Sequence, residues 1–141
     1  MTPGKSNHSL LSDSLPDDVS HEAQAAAGLT AFFAITREWG LSVDEQRRLL
    51  GNPSRSRFFE MKKGNCVSLS DDELDRLSYL VNIYAALNIL YSPENQILWL
   101  KNPGRPGSLW QVQSPLSYLT SGKLMALIDV SRYLNGMRGA A

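Results

Sequence analysis

Apolar residues recur at three- and four-residue spacing through most of this chain, and clusters of Ser, Asn, Gly and Pro interrupt them. That period is helical, so the sequence predicts an all-α fold. A first helix is expected from Ser20 through Trp39, with Ala23, Ala27, Phe32, Ile35 and Trp39 on its apolar side, Leu29 and Phe33 broadening it, and Gly40 as its stop. Ser42 and Glu45 have the spacing of a capping box, in which each side chain satisfies a backbone N–H at a helix start. Val43, Gln46, Leu49 and Leu50 follow at helical spacing, and Gly51 stops that helix. Asn52 is then expected to cap a third helix, with Pro53 in its first turn, Phe58 and Met61 on its inner face and Gly64 at its end.

Ser70 and Glu73 form a second capping box, opening a long helix to about Tyr91 through Leu74, Leu77, Leu80, Val81, Tyr84 and Leu87. Ser92 and Pro93 open the segment PENQILWLKN. NPGRPGS at 102–108 has too much Pro and Gly for a regular element. Leu109 to Gln113 is expected as a short strand or extended segment. Ser114 and Pro115 begin a short helix with Leu116, Tyr118 and Leu119. Thr120 or Ser121 begins the last helix, with Leu124, Leu127, Ile128, Val130 and Leu134. The chain closes on NGMRGAA, small residues expected to be mobile. Residues 1–19, rich in Ser, Asp and Pro, read as a flexible arm, with Leu10, Leu11 and Leu15 as its points for a partner.

Charge singles out the second and third helices. Lys and Arg total 14, as do Asp and Glu, so the 141-residue chain is formally neutral. Yet Arg47 to Lys63 holds six bases and one acid, Glu60, whereas the chain before Arg47 holds seven acids and two bases. Ser54, Arg55, Ser56 and Arg57 open the third helix, and Lys62 and Lys63 close it. A helix, a tight turn and a second helix with Arg and Ser at its start is the sequence form of a helix-turn-helix. In the major groove Arg reads guanine through a bidentate pair, Ser pairs with several bases, and Lys holds phosphates. The alternative is a helical hairpin with a solvated basic face.

Other chemistry is sparse. His8 and His21 have no convincing partners, Cys66 has no nearby His, and no phosphate loop, zinc spacing or nucleophile elbow is present, so neither an enzyme nor a cofactor is expected. Asp71, Asp72 and Asp75 suit a helix N-terminus better than a metal. A single cysteine excludes an internal disulfide and fits a reducing cytoplasm. No apolar run approaches the roughly 20 residues that span a bilayer, and no secretory signal is seen. Hydrophobic content of 43% suffices to bury a core, in one compact domain or two small ones.

From about Gly28 to Ala141 the chain resembles the Xre/MbcA/ParS antitoxins of bacterial toxin–antitoxin systems. The resemblance rests on LLGNPSRSRFFEMKKG, then on WLKNPG, a loop, and SPLSYLTSGK leading into a final helix with a Gly near its end. It implies an Xre-like helix-turn-helix domain (20–69) followed by a small, mainly helical toxin-binding and dimerisation domain (70–141). Members pair with RES-type toxins, which resemble ADP-ribosyltransferases and consume NAD. They block the toxin cleft with the C-terminal domain, and they bind operator DNA to repress their own operon. The expected partners are thus a RES toxin, operator DNA and a second copy in a homodimer. Ser54, Arg55, Ser56, Arg57, Lys62 and Lys63 are the expected DNA contacts. Trp110, Tyr118, Arg132, Asn135, Gly136, Met137, Arg138, Gly139, Ala140 and Ala141 are the expected toxin contacts, Trp110 as a loop-borne aromatic anchor and the end of the chain as a plug. The loop NPGRPGSLWQVQ, with its extra Trp110, departs from the family pattern and bears on partner choice. A plain repressor whose C-terminal half only dimerises or binds a ligand is the alternative.

Overall fold

The structure, a computed structural model, describes residues 17–65 and 68–140. Among them are seven helices and no strand: α1 (Asp17–Glu38), α2 (Val43–Leu49), α3 (Arg55–Lys63), α4 (Asp71–Leu90), α5 (Pro93–Lys101), α6 (Pro115–Leu119) and α7 (Leu124–Ala140). The protein is therefore all-α, as its periodicity predicts. Leu10, Leu11, Leu15, His8, Cys66 and Ala141 lie outside the described residues.

Both capping boxes form. Ser42 accepts from the Glu45 N–H and Ser70 from the Glu73 N–H, and each Glu carboxylate returns the bond to its Ser N–H. The first helix begins at Asp17 rather than Ser20. Its buried face is Ala25, Leu29, Phe32 and Ile35, continued by Trp39 just past its end, while Ala23 and Ala27 are exposed. Alanine carries little apolar area, so the larger side chains set the rotation of the helix.

The long helix α4 packs against α1 and against α7. Its Leu77, Leu80, Ile83, Ala86 and Leu87 are buried. One continuous core runs from Ala25 and Phe32 of α1 through Phe58 and Met61 of α3 to Leu127, Val130 and Leu134 of α7.

Two expectations for the C-terminal half fail. Leu109 to Gln113 is a series of turns, not a strand. No strand among the described residues offers a ladder, and the segment instead folds inward around Trp110. Gly104 permits this: a Cβ there would lie 2.4 Å from the Gln111 carbonyl oxygen and 2.5 Å from the Trp110 ring. The second failure is the tail, since α7 runs unbroken through Asn135, Gly136 and Gly139 to Ala140. Ser131 Oγ and Asn135 Nδ2 both donate to Asn82 Oδ1 of α4, at 2.6 and 2.8 Å, and tie that end down.

Candidate functional site

The turn between α2 and α3 is built by backbone hydrogen bonds. Gly51 N–H donates to the Arg48 carbonyl and Asn52 N–H to the Arg47 carbonyl, at 3.2 and 2.7 Å. This double closure requires positive φ after the helix, which Gly51 supplies at 87°. Asn52 does not cap α3 as expected. It is itself left-handed, at φ 64°, and Ser54 is the cap, its hydroxyl oxygen accepting from Arg57 N–H at 3.1 Å. Arg47 Nε braces the turn by donating to the Pro53 carbonyl at 3.0 Å. Gln46 pins α2 to α1 through a buried bond to Thr36 Oγ1 at 2.8 Å.

The outer face of α3 carries charge in two different states. Arg55 and Ser56 are exposed at its start and Lys62 at its end, and none makes a hydrogen bond or ion pair among the described residues. Lys63 is exposed and lies 3.5 Å from Glu60. Arg57, expected beside Arg55 as a base reader, is held by α4. Its Nη2 donates to Glu73 Oε1 at 2.6 Å and to the Ser68 carbonyl at 2.7 Å, and its Nε donates to Glu73 Oε2 at 3.2 Å. Burial alone would raise the Glu73 pKa. The bonds from Arg57 and from the Ser70 backbone, with the Arg57 charge, outweigh it and hold the carboxyl below its ordinary value. Glu73 thus serves a capping box and an inter-helix clamp together.

Residues 18–82 match the family described as the antitoxin Xre-like helix-turn-helix domain. The chain is also 37% identical over 121 residues to y4oB, an uncharacterized protein of Sinorhizobium fredii, covering 85% of this chain and 91% of that one. This chain belongs to the Xre-type antitoxin family. No solved structure matches it at a significant level. Its helix-turn-helix is of the antitoxin, DNA-binding kind, and the matched stretch ends inside α4.

In this family member the rear half distributes the expected toxin contacts unevenly. Trp110, expected as a loop-borne aromatic anchor, is buried, only 6% exposed. It meets Trp99 and Tyr133 edge-on, at centroid distances of 5.3 and 5.1 Å. Tyr118 is half-buried and its hydroxyl donates to Asp129 at 2.7 Å. That bond, together with burial and the Asp129 charge, raises the Tyr118 pKa. Arg132, Asn135, Gly136, Arg138 and Gly139 are exposed along α7, and Met137 packs partly on the core. Arg138 Nη1 donates to Asn135 Oδ1 at 3.2 Å. Ala140 is the last described residue of α7.

Sequence reasoning missed Tyr133 and Val112, which are 43% and 64% exposed beside the buried Trp110. Ile89 and Leu98 are exposed as well, at 63% and 55%. It also missed Arg76. This side chain is buried on α4, and its guanidinium bonds Asp72 Oδ2 at 2.8 Å, the Arg48 and Leu49 carbonyls at 3.4 Å and the Gly122 carbonyl at 3.0 Å. A lone Arg inside a leucine-rich helix is the one signal that could have marked it. Among the described residues no group of His, Cys, Asp or Glu is placed to hold a metal ion, and no helix is long and apolar enough to cross a membrane.

Proposed function

We propose that the protein is the antitoxin of a type II toxin–antitoxin pair, without catalytic activity of its own. Its helix-turn-helix binds the operator of its own operon as a homodimer, with α3 in the major groove. Its C-terminal half neutralises a RES-type, NAD-consuming toxin by covering the active-site cleft. The observation that carries the DNA-binding half is the start of α3, where the side chains of exposed Arg55 and Ser56 have no hydrogen bond or ion pair among the described residues. A basic recognition helix of this kind, in a family of antitoxins, is suited to base and phosphate contacts.

The toxin-facing half is read from the outer side of α7. Arg132, Gly136 and Gly139 recur at helical spacing on an exposed stretch, and a Cβ added at either glycine would meet nothing within 4 Å. Glycine inside a helix costs about 0.5–1 kcal/mol relative to alanine. Nothing among the described residues calls for it there, and a closely approaching partner would. The cleft is then met by a helix end and not by a loose tail.

One observation favours the second reading, a repressor whose rear half only dimerises. The end of α7 is tied to α4 through Asn82 and has little freedom to enter a cleft. Co-expression with the product of the neighbouring reading frame, expected to be a RES protein, separates the two. The antitoxin reading expects a stable complex, loss of NAD consumption by the toxin, and a mobility shift of the operon's promoter DNA. A chain that shifts the promoter but neither retains nor inhibits the toxin would leave the repressor.

A further inference from the structure

The start of α3 holds a pairing that the DNA-binding reading does not use. Arg55 and Phe59 are one helical turn apart, and the Arg55 guanidinium carbon lies over the Phe59 ring, 5.6 Å from its centroid. Phe59 is half-buried, and its ring stands edge-on to Phe58 at 5.2 Å. Phe58 is fully buried and in turn meets Phe33 of α1 at 5.6 Å. The core therefore fixes the ring, and the ring steadies the guanidinium, since a cation is drawn to an aromatic face. Of the other candidates on this turn, Arg57 is held by Glu73 and the Ser54 oxygen by the Arg57 N–H, and the short Ser56 hydroxyl has no aromatic partner among the described residues.

Resting on the assignment of α3 as the recognition helix, we infer that Arg55 and Phe59 act as one unit that reads a guanine with a thymine beside it. The Arg55 fork pairs with guanine O6 and N7, and the Phe59 ring covers the C5-methyl of the adjacent thymine. Both are contacts for which these side chains are suited in the major groove. Neighbouring bases are stacked about 3.4 Å apart, so two groups held this close meet adjacent pairs and not distant ones. Phe59 is thereby a specificity-determining residue and not only a shield over the core.

The test starts from the full chain and a duplex library with a randomised central segment, followed by affinity measurement on the selected duplex. Selection is expected to return a motif containing a guanine next to a thymine. Replacing that thymine by deoxyuridine removes the methyl and leaves its pairing edge intact. Binding should weaken about three- to fivefold, the value of one buried methyl, and 5-methylcytosine opposite guanine at that position should retain more affinity than cytosine. Phe59→Leu and Phe59→Ala should each reduce the deoxyuridine penalty, Phe59→Ala abolishing it, so that the two changes are not additive. Arg55→Lys should keep the phosphate attraction but lose the guanine preference. Equal affinity for thymine and deoxyuridine duplexes, or a penalty that persists in both Phe59 variants, overturns the inference and leaves DNA binding standing. Failure to enrich any duplex overturns the DNA-binding reading and this inference with it.

Discussion

Glu73 shows how much one carboxylate can decide. It accepts from the Ser70 N–H, which starts α4, and from two nitrogens of Arg57, which holds α3 against α4. Its pKa lies below its ordinary value of 4.5 because those donors outweigh the effect of burial. A carboxyl depressed in the folded state contributes stability above its unfolded value, and that contribution is lost as pH falls through its folded value. Glu73→Gln keeps an acceptor for the cap but loses the charge. We expect it to destabilise the protein by about 1 kcal/mol at neutral pH, since the Arg57 side chain is partly open to solvent. The difference from the parent should shrink as pH drops below about 4.5 and vanish below the folded pKa. Urea unfolding of both proteins from neutral to acid pH measures it, and a difference that does not change with pH would show that the Arg57–Glu73 charge pair contributes nothing.

Arg76 performs the corresponding task between elements. Its buried guanidinium bonds the carbonyls that end α2 and the Gly122 carbonyl in the turn before α7. Arg76→Ala should cost about 2–3 kcal/mol in urea unfolding, because several carbonyls lose their donor while the half-exposed Asp72 can turn to water. Arg76→Lys should recover little of it, as an ammonium cannot reproduce the spread of the fork. At the other end of the molecule, Gly136→Ala should stabilise α7 by about 0.5–1 kcal/mol while weakening retention of the toxin, and a variant that gains stability with toxin binding unchanged would remove that face from the interface. These elements differ in how far they could be read beforehand. Caps such as Ser42–Glu45, Ser70–Glu73 and Ser114–Pro115 are local, so spacing alone reveals them. The inward fold of Trp110 depends on Trp99 and Tyr133, and the helical state of the tail depends on Asn82. Partners so distant in sequence leave no periodic trace. The basic start of α3 was legible, but which of its two arginines remains free was decided by Glu73.

The proposed division into a DNA-gripping front and a toxin-binding rear has to be reconciled with a core that does not divide. Leu77, Leu80 and Leu87 of α4 belong to the same apolar cluster as Phe32 of α1, Trp39 just after it, Phe58 of α3, and Val130 and Leu134 of α7. The two helices of the DNA-binding motif are short, seven and nine residues, and helices of that length are marginal without packing. Their pins, Glu73 and Arg76, both lie on α4. A fragment ending at Leu69 would keep every expected DNA contact yet lose these pins and the buried side of α4. It is expected to show little helical signal, no cooperative urea transition and no shift of promoter DNA. The full chain should unfold in a single transition, seen alike by helical circular dichroism and by the fluorescence of its three tryptophans, Trp39 in the front half and Trp99 and Trp110 in the rear. A fragment that folds cooperatively and binds DNA would establish independent halves. If the full chain behaves as one unit, force applied by a toxin on α7 reaches α3 through α4, and occupancy of the rear face should alter affinity for the operator.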